Sequence, residues 1–98
     1  MAKKGYFVSI YKSVKDPVAF GEYAKLALPA LEACGGKFLT RAVATAVYEN
    51  GIKERTVIIE FESVEKAIAA HQSPAYQAAL KVLGSAVDRE IRIVEGME

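Results

Sequence analysis

Two stretches of this chain are apolar on both sides of an extended backbone, and that limits its folds more than any other feature. Tyr6-Phe7-Val8-Ser9-Ile10-Tyr11 is dense in aromatic and β-branched residues and reads as a strand. Tyr6, Val8 and Ile10 share one side, and Phe7 and Tyr11 share the other. Arg55 to Phe61 behaves alike, with Val57, Ile59 and Phe61 opposed by Ile58. An antiparallel sheet with one wet face alternates cleanly between apolar and polar residues. These strands do not, so both faces are expected to be covered.

The rest of the chain says what covers them. Asp16-Pro17 is a helix start, with Asp as N-cap and Pro at the first helical position, where no N–H is needed. Phe20, Tyr23, Ala24, Ala27, Leu28 and Leu31 follow at helical spacing. Pro29 cannot donate to the carbonyl of Lys25, so the helix is expected to kink or loosen there. Gly35-Gly36 ends it. Lys37 to Tyr48 reads as the second strand. It is joined to the third through Asn50-Gly51, a pair suited to a two-residue type I′ turn with positive φ at both positions. Ser63 caps a helix over Val64, Ala67, Ile68 and His71. Ser73-Pro74 interrupts it and restarts a helix through Tyr76, Ala79, Leu80 and Leu83 to Gly84. Asp88 to Glu95 is the last strand, with Ile91 and Ile93 on one side and Arg92 and Val94 on the other.

The order is β-α-β-β-α-β. It predicts an α+β, ferredoxin-like sandwich: a four-stranded antiparallel sheet with helices on one face. The simplest cover for the other face is the same sheet of a second copy, giving a two-fold homodimer. The 98 residues are read as one domain, 1–98. A domain of this size has a large surface for its volume, so an apolar dimer interface would supplement its core.

Charge excludes some partners. Thirteen basic residues against twelve acidic ones leave a net charge of +1, with no basic block beyond Lys3-Lys4, so no nucleic-acid partner is expected. One cysteine and one histidine exclude an internal disulfide and argue against a zinc site. No signal-peptide pattern opens the chain and no window is long enough to span a membrane, so a cytoplasmic location is the expectation. No haem or flavin motif is present, and no cofactor is expected.

At this point the residues resemble a known family. The markers are Asp16-Pro17, Tyr23 and Pro29, then Glu32-Ala33-Cys34-Gly35-Gly36-Lys37-Phe38-Leu39 with Arg41. They continue with Ile59-Glu60-Phe61 and Ser63, Ser73-Pro74-Ala75-Tyr76-Gln77, and Val94-Glu95-Gly96. In their order and spacing they resemble the domain of unknown function 1330 family, within the dimeric α+β barrel superfamily. Ala42, Glu62 and Ala75 depart from that pattern, which usually has a glycine, a proline and an acidic residue there. The resemblance implies the fold and a dimer. The superfamily includes small monooxygenases, dismutases, muconolactone isomerase-like enzymes and ligand-sensing modules, and fold alone does not choose among them.

Register points to a candidate site. With Asn50-Gly51 as the loop, Arg41 falls opposite Glu60, on the face away from the helices. The pair could line a pocket for an anionic or polar ligand, or serve as an interface ion pair that sets dimer register; the second reading is favoured. His71 is the one candidate general base and falls just before the Ser73-Pro74 break. Tyr23, Tyr48, Tyr76 and Tyr11 suit cleft walls, with an apolar body and a polar tip, and suit core edges equally well. Catalytic candidates are therefore His71, Arg41 and Glu60, and ligand-binding candidates are Tyr23, Tyr48, Tyr76 and Arg41. Ser73 reads as a helix cap, Cys34 as unreactive, and Gly35-Gly36 as no phosphate loop, since it follows a helix.

Three functions fit. The first is a homodimeric domain binding a small molecule between helices and sheet. The second is a cofactor-independent enzyme, monooxygenase- or isomerase-like. The third is a purely structural dimer module. The first is ranked slightly ahead, because the polar residues are few and unpaired by spacing.

Overall fold

The computed structural model describes residues 3–97; the reading of Met1 and Ala2 lies outside them. The elements are β1 (Gly5–Val14), α1 (Pro17–Ala33), β2 (Lys37–Val43), β3 (Arg55–Phe61), α2 (Val64–His71), α3 (Pro74–Leu83) and β4 (Val87–Glu95). The four strands form one antiparallel sheet in the order β2-β3-β1-β4. This is the ferredoxin-like arrangement expected from the element order.

The helix ends form as their chemistry dictates. Asp16 Oδ1 accepts hydrogen bonds from the N–H groups of Val18 and Ala19, at 3.1 and 3.2 Å. At the far end Gly36 N–H donates to Leu31 O at 2.9 Å and Gly35 N–H to Glu32 O at 3.0 Å. That is a Schellman motif with Gly35 at φ +93°, a conformation that costs glycine little. Gly36 is needed for a second reason: a Cβ there would lie 2.8 Å from Leu31 O and 2.8 Å from Phe61 Cζ. Helix α1 continues through Pro29 to Ala33 without interruption. Ser63 Oγ accepts from Lys66 N–H at 3.1 Å to open α2. Ser73 Oγ donates to Ala70 O at 2.8 Å and accepts from Tyr76 N–H at 3.3 Å, closing α2 and opening α3.

All three helices lie on one face. There Phe7, Ile59, Phe61 and Tyr76 are sealed from solvent, each 1% exposed or less. Helix α2 lies close on β1, β3 and β4, and the fully buried Ala67 and Ala70 permit that approach. Helix α1 packs chiefly along α3 and stands farther off the sheet. The molecule is thin, 41 × 35 × 16 Å, as two layers require. The other sheet face carries Tyr6, Val8 and Ile10 of β1, Ile58 of β3 and Val94 of β4, with no helix over it.

The sequence-derived register of β2 is corrected. Arg41 pairs with Val57, and Glu60 pairs with Lys37. Two causes combine. Strand β2 stops at Val43, so residues 44–54 form a long connection instead of a two-residue turn. A bulge between Phe38 and Thr40 then absorbs a further residue. The tight turn is Tyr48-Glu49-Asn50-Gly51, closed by Gly51 N–H to Tyr48 O at 2.9 Å, and positive φ falls on Glu49 instead of Asn50 or Gly51. The connection alone moves the partner of Arg41 from Glu60 to Val57, an odd number of residues, so Arg41 changes face; the bulge lies beyond Arg41 and alters only the pairing of Lys37 and Phe38.

Candidate functional site

The stand-off of α1 leaves a cleft between that helix and the sheet. Its walls are mostly apolar: Phe7, Phe20, Leu28, Phe38, Val57 and Ile59 are among them. Its polar groups are Ser9, Tyr11, Tyr23, Arg41, Arg55 and Arg89. The cleft is open to solvent, and its cavity volume is about 30 Å³. That is room for roughly one or two waters. A ligand of more than a few heavy atoms therefore requires α1 to move outward.

Arg89 organises the polar end. Strand β4 places it beside Tyr11 of β1, on the helix-facing side. Its Nη1 donates to Tyr11 Oη at 2.8 Å and to Tyr23 Oη at 3.1 Å. Its guanidinium carbon lies 5.3 Å from the Tyr11 ring centre and 4.9 Å from that of Tyr23, within cation–π reach of both. Tyr23 Oη in turn shares a 2.7 Å hydrogen bond with Tyr76 Oη. The chain Tyr11–Arg89–Tyr23–Tyr76 thus links β1, β4, α1 and α3.

The charges in this cluster are one-sided. Burial, then the Tyr76 hydroxyl, pushes the Tyr23 phenol well up, so it stays neutral at ordinary pH. Burial also raises Tyr11. Burial works against the charge of Arg89, but the oxygens of Tyr23, Tyr11 and Tyr76 more than offset it, and the guanidinium remains protonated. Among the described residues no Asp or Glu lines the cleft, and none of the ion pairs includes Arg41, Arg55 or Arg89. Arg55 lies over the Phe20 ring, at 5.5 Å, and its Nη1 donates to Arg41 O at 3.3 Å.

The residues singled out in the sequence are scattered over three places. Tyr23 and Arg41 line the cleft, and Tyr76 backs it through Tyr23. His71 is elsewhere: with Ile68, Gln72, Ile91 and Ile93 it lines a shallow groove between α2 and β4. Its ring packs against Tyr76 and Phe7, with centroids at 5.3 and 5.9 Å. Burial, then Arg89, lowers its pKa. Glu60 is on the open sheet face, where its Oε2 accepts from Tyr6 Oη at 3.1 Å. That bond raises the Tyr6 phenol. Tyr48 is 81% exposed on the β2–β3 connection and touches neither cavity. The proposed Arg41–Glu60 pair does not form, because the two residues lie on opposite faces of the sheet. Sequence reasoning passed over Arg89, Arg55 and Ser9. A signal for Arg89 existed: it shares the parity of Ile91 and Ile93, so a charged residue occupies the core-facing row. Among the described residues no group of three or more His, Cys, Asp or Glu side chains is placed to hold a metal ion, and no helix is long and apolar enough to cross a membrane.

Fold and cleft define a ferredoxin-like α+β protein with a narrow, mostly apolar cleft between its first helix and the sheet. Its sequence matches the family model "Domain of unknown function (DUF1330)" over residues 4–97, and the chain belongs to that family. No curated protein matches the sequence. Solved structures share the fold at low identity. A protein of unknown function from Rhodopseudomonas palustris is 16% identical, with a TM-score of 0.75, covering 100% of this chain and 85% of that one. SnoaB, a cofactor-independent oxygenase from Streptomyces nogalater, is 13% identical, with a TM-score of 0.69, covering 99% of this chain and 96% of that one. A dimeric ferredoxin-like protein of unknown function from Thermobifida fusca is 14% identical, with a TM-score of 0.61, covering 97% of this chain and 92% of that one.

Proposed function

We propose that residues 1–98 act as one small-molecule-binding domain, paired as a homodimer, with the ligand held between α1 and the sheet of each copy. The observation that carries this reading is the cleft itself: apolar walls converging on a protonated, half-buried Arg89 that has no carboxylate partner there. Small-molecule sites combine mostly apolar walls with a few placed polar groups in this way. A purely structural module has no use for such a charge, which burial makes costly. Self-association is supported by the open face, where Tyr6, Val8, Ile10 and Ile58 have no cover from the chain's own helices. The Thermobifida fusca relative in fold is itself described as dimeric.

Native mass spectrometry of freshly purified protein tests the proposal. Twice the chain mass with a reproducible small addition is expected, and Leu28→Trp, which fills the cleft, should remove the addition. Chains that carry no addition, or keep it after Leu28→Trp, would overturn the binding reading.

One observation favours a second reading, a cofactor-independent enzyme of monooxygenase or isomerase type. The phenols of Tyr11 and Tyr23 border the cleft and are hydrogen-bonded to Arg89 and, through Tyr23, to Tyr76. A phenol beside a fixed cation can pass a proton to or from a bound molecule. SnoaB, which has the same fold, is described as a cofactor-independent oxygenase. Turnover of the retained molecule on incubation in air, abolished by Tyr23→Phe while binding persists, would select this reading.

A further inference from the structure

We infer that the cleft takes a monocarboxylate on an apolar body, its oxygens held by the Ser9 hydroxyl and the Arg89 guanidinium. The inference rests on the reading of the cleft as a ligand site and names what that site accepts.

Ser9 is 3% exposed, lines the cleft, and is polar in a row of core residues, between Phe7 and Tyr11. Its hydroxyl forms no hydrogen bond among the described residues. Yet no side-chain oxygen or nitrogen is both fully sealed and unpartnered, so the hydroxyl keeps an opening, and the opening is the cleft. A hydroxyl that opens to the cleft and has no partner within the chain is free to donate to an acceptor that enters.

Arg89 supplies the second half. Nη1 spends both of its hydrogens on Tyr11 and Tyr23, which leaves the donors of Nη2 and Nε. Neither of those nitrogens is sealed. Ser9 pairs with Ile91 across β1 and β4, and Tyr11 pairs with Arg89, so Ser9 and Arg89 are diagonal neighbours on one face. Such neighbours lie about 7–8 Å apart, with their Cβ atoms somewhat closer, a gap that a carboxylate and the long arginine stem close together. The site calls for one negative charge. Arg89 and Arg55 are both half-buried and in none of the ion pairs among the described residues, whereas Arg41 is exposed; Arg89 is the one diagonal to Ser9, and Arg55 is engaged with Phe20 and the Arg41 carbonyl. With α1 displaced outward, the remaining walls, Leu28 and Val57 among them, face a hydrocarbon body.

The test is an NMR amide titration of the full chain with butyrate and benzoate, each against its neutral alcohol, butanol or benzyl alcohol. Both acids should move the amides of Ser9, Ala24 and Leu28 and bind about 10-fold or more tightly than the alcohols, as a charge-assisted hydrogen bond implies. Ser9→Ala, a change too small to threaten folding, should weaken the acids about 3- to 10-fold and leave the alcohols unchanged. Arg89→Gln should abolish the preference, while Arg92→Gln, on the open face, should not. Alcohols that bind in the same cleft as tightly as the acids, or an acid preference untouched by Ser9→Ala, would overturn the ligand class and leave the cleft reading standing. If none of the four probes moves a cleft amide, the cleft reading falls and this inference falls with it.

Discussion

On the helix-facing side of the sheet, Phe7, Ile59 and Phe61 are each 1% exposed. On the other side their chain neighbours Tyr6, Val8 and Ile58 are half-buried, and Val94 is 47% exposed. The residue types are alike, so composition does not separate the faces. What separates them is where the polar groups went. The covered face takes in Ser9, Tyr11, Tyr23, Tyr76 and Arg89, most of them in one hydrogen-bonded chain beside a cleft. The open face has an exposed Arg92–Glu90 ion pair and the Tyr6–Glu60 hydrogen bond, set among apolar side chains. One face carries a polar cluster beside a cleft, and the other carries apolar side chains that no helix of the chain covers.

That contrast can be broken most strongly at Phe7. Its ring meets those of Phe61, Tyr76 and His71, and Phe7→Ala should cost about 3–5 kcal/mol in urea unfolding. Val8→Asp, one residue along on the open face, should leave each copy folded and convert the proposed dimer to monomer in analytical ultracentrifugation. Equal loss of folding stability in both variants would mean that the two faces are not different in kind. A smaller effect is expected within the polar chain. Tyr23→Phe strands the buried Tyr76 hydroxyl and should cost roughly 1–3 kcal/mol, while adding Tyr76→Phe should recover much of it. A double variant as unstable as the sum of the singles would show that the two hydroxyls do not act as a pair.

The smallest expected effect is a pH dependence at His71. Burial and Arg89 lower its folded pKa beneath the ordinary 6.5. The unfolded chain then binds the proton more readily, so its contribution is fully present above about pH 6.5 and is lost as pH falls through the folded value. The melting temperature should therefore drop modestly between neutral pH and about pH 5, and His71→Gln should flatten that drop. A drop that survives His71→Gln would belong to other groups.

The two hairpin-side strands show how far pattern reasoning carries. For β1 and β3 the faces read from alternation are those observed, because the paired stretches Gly5–Ile10 and Thr56–Phe61 are regular and half of their residues face a core. For β2 the reading failed at Arg41. The strand is the exposed edge of the sheet, so burial does not hold its register, and the long connection shifts it at Arg41, with a bulge farther along, at little cost. Asn50-Gly51 was a sound turn signal, yet the chain turned at Glu49-Asn50. Nothing in the local sequence opposes that shift, because residues 45–53 are all exposed.

By itself the sequence determined the element order, the helix caps at Asp16, Ser63 and Ser73, the Gly35-Gly36 stop and the apolar character of both sheet faces. These depend on neighbours within a few residues or on the two-residue period of a strand, so they are written locally. Tertiary structure alone decided that Arg41 joins Arg55 and Arg89 at one cleft, that Glu60 and His71 do not, and that Ser9 keeps an unpaired hydroxyl. Those outcomes depend on how far α1 stands from the sheet and on which residues of β1 and β4 pair, distances set by packing between segments up to 78 residues apart, as Tyr11 and Arg89 are.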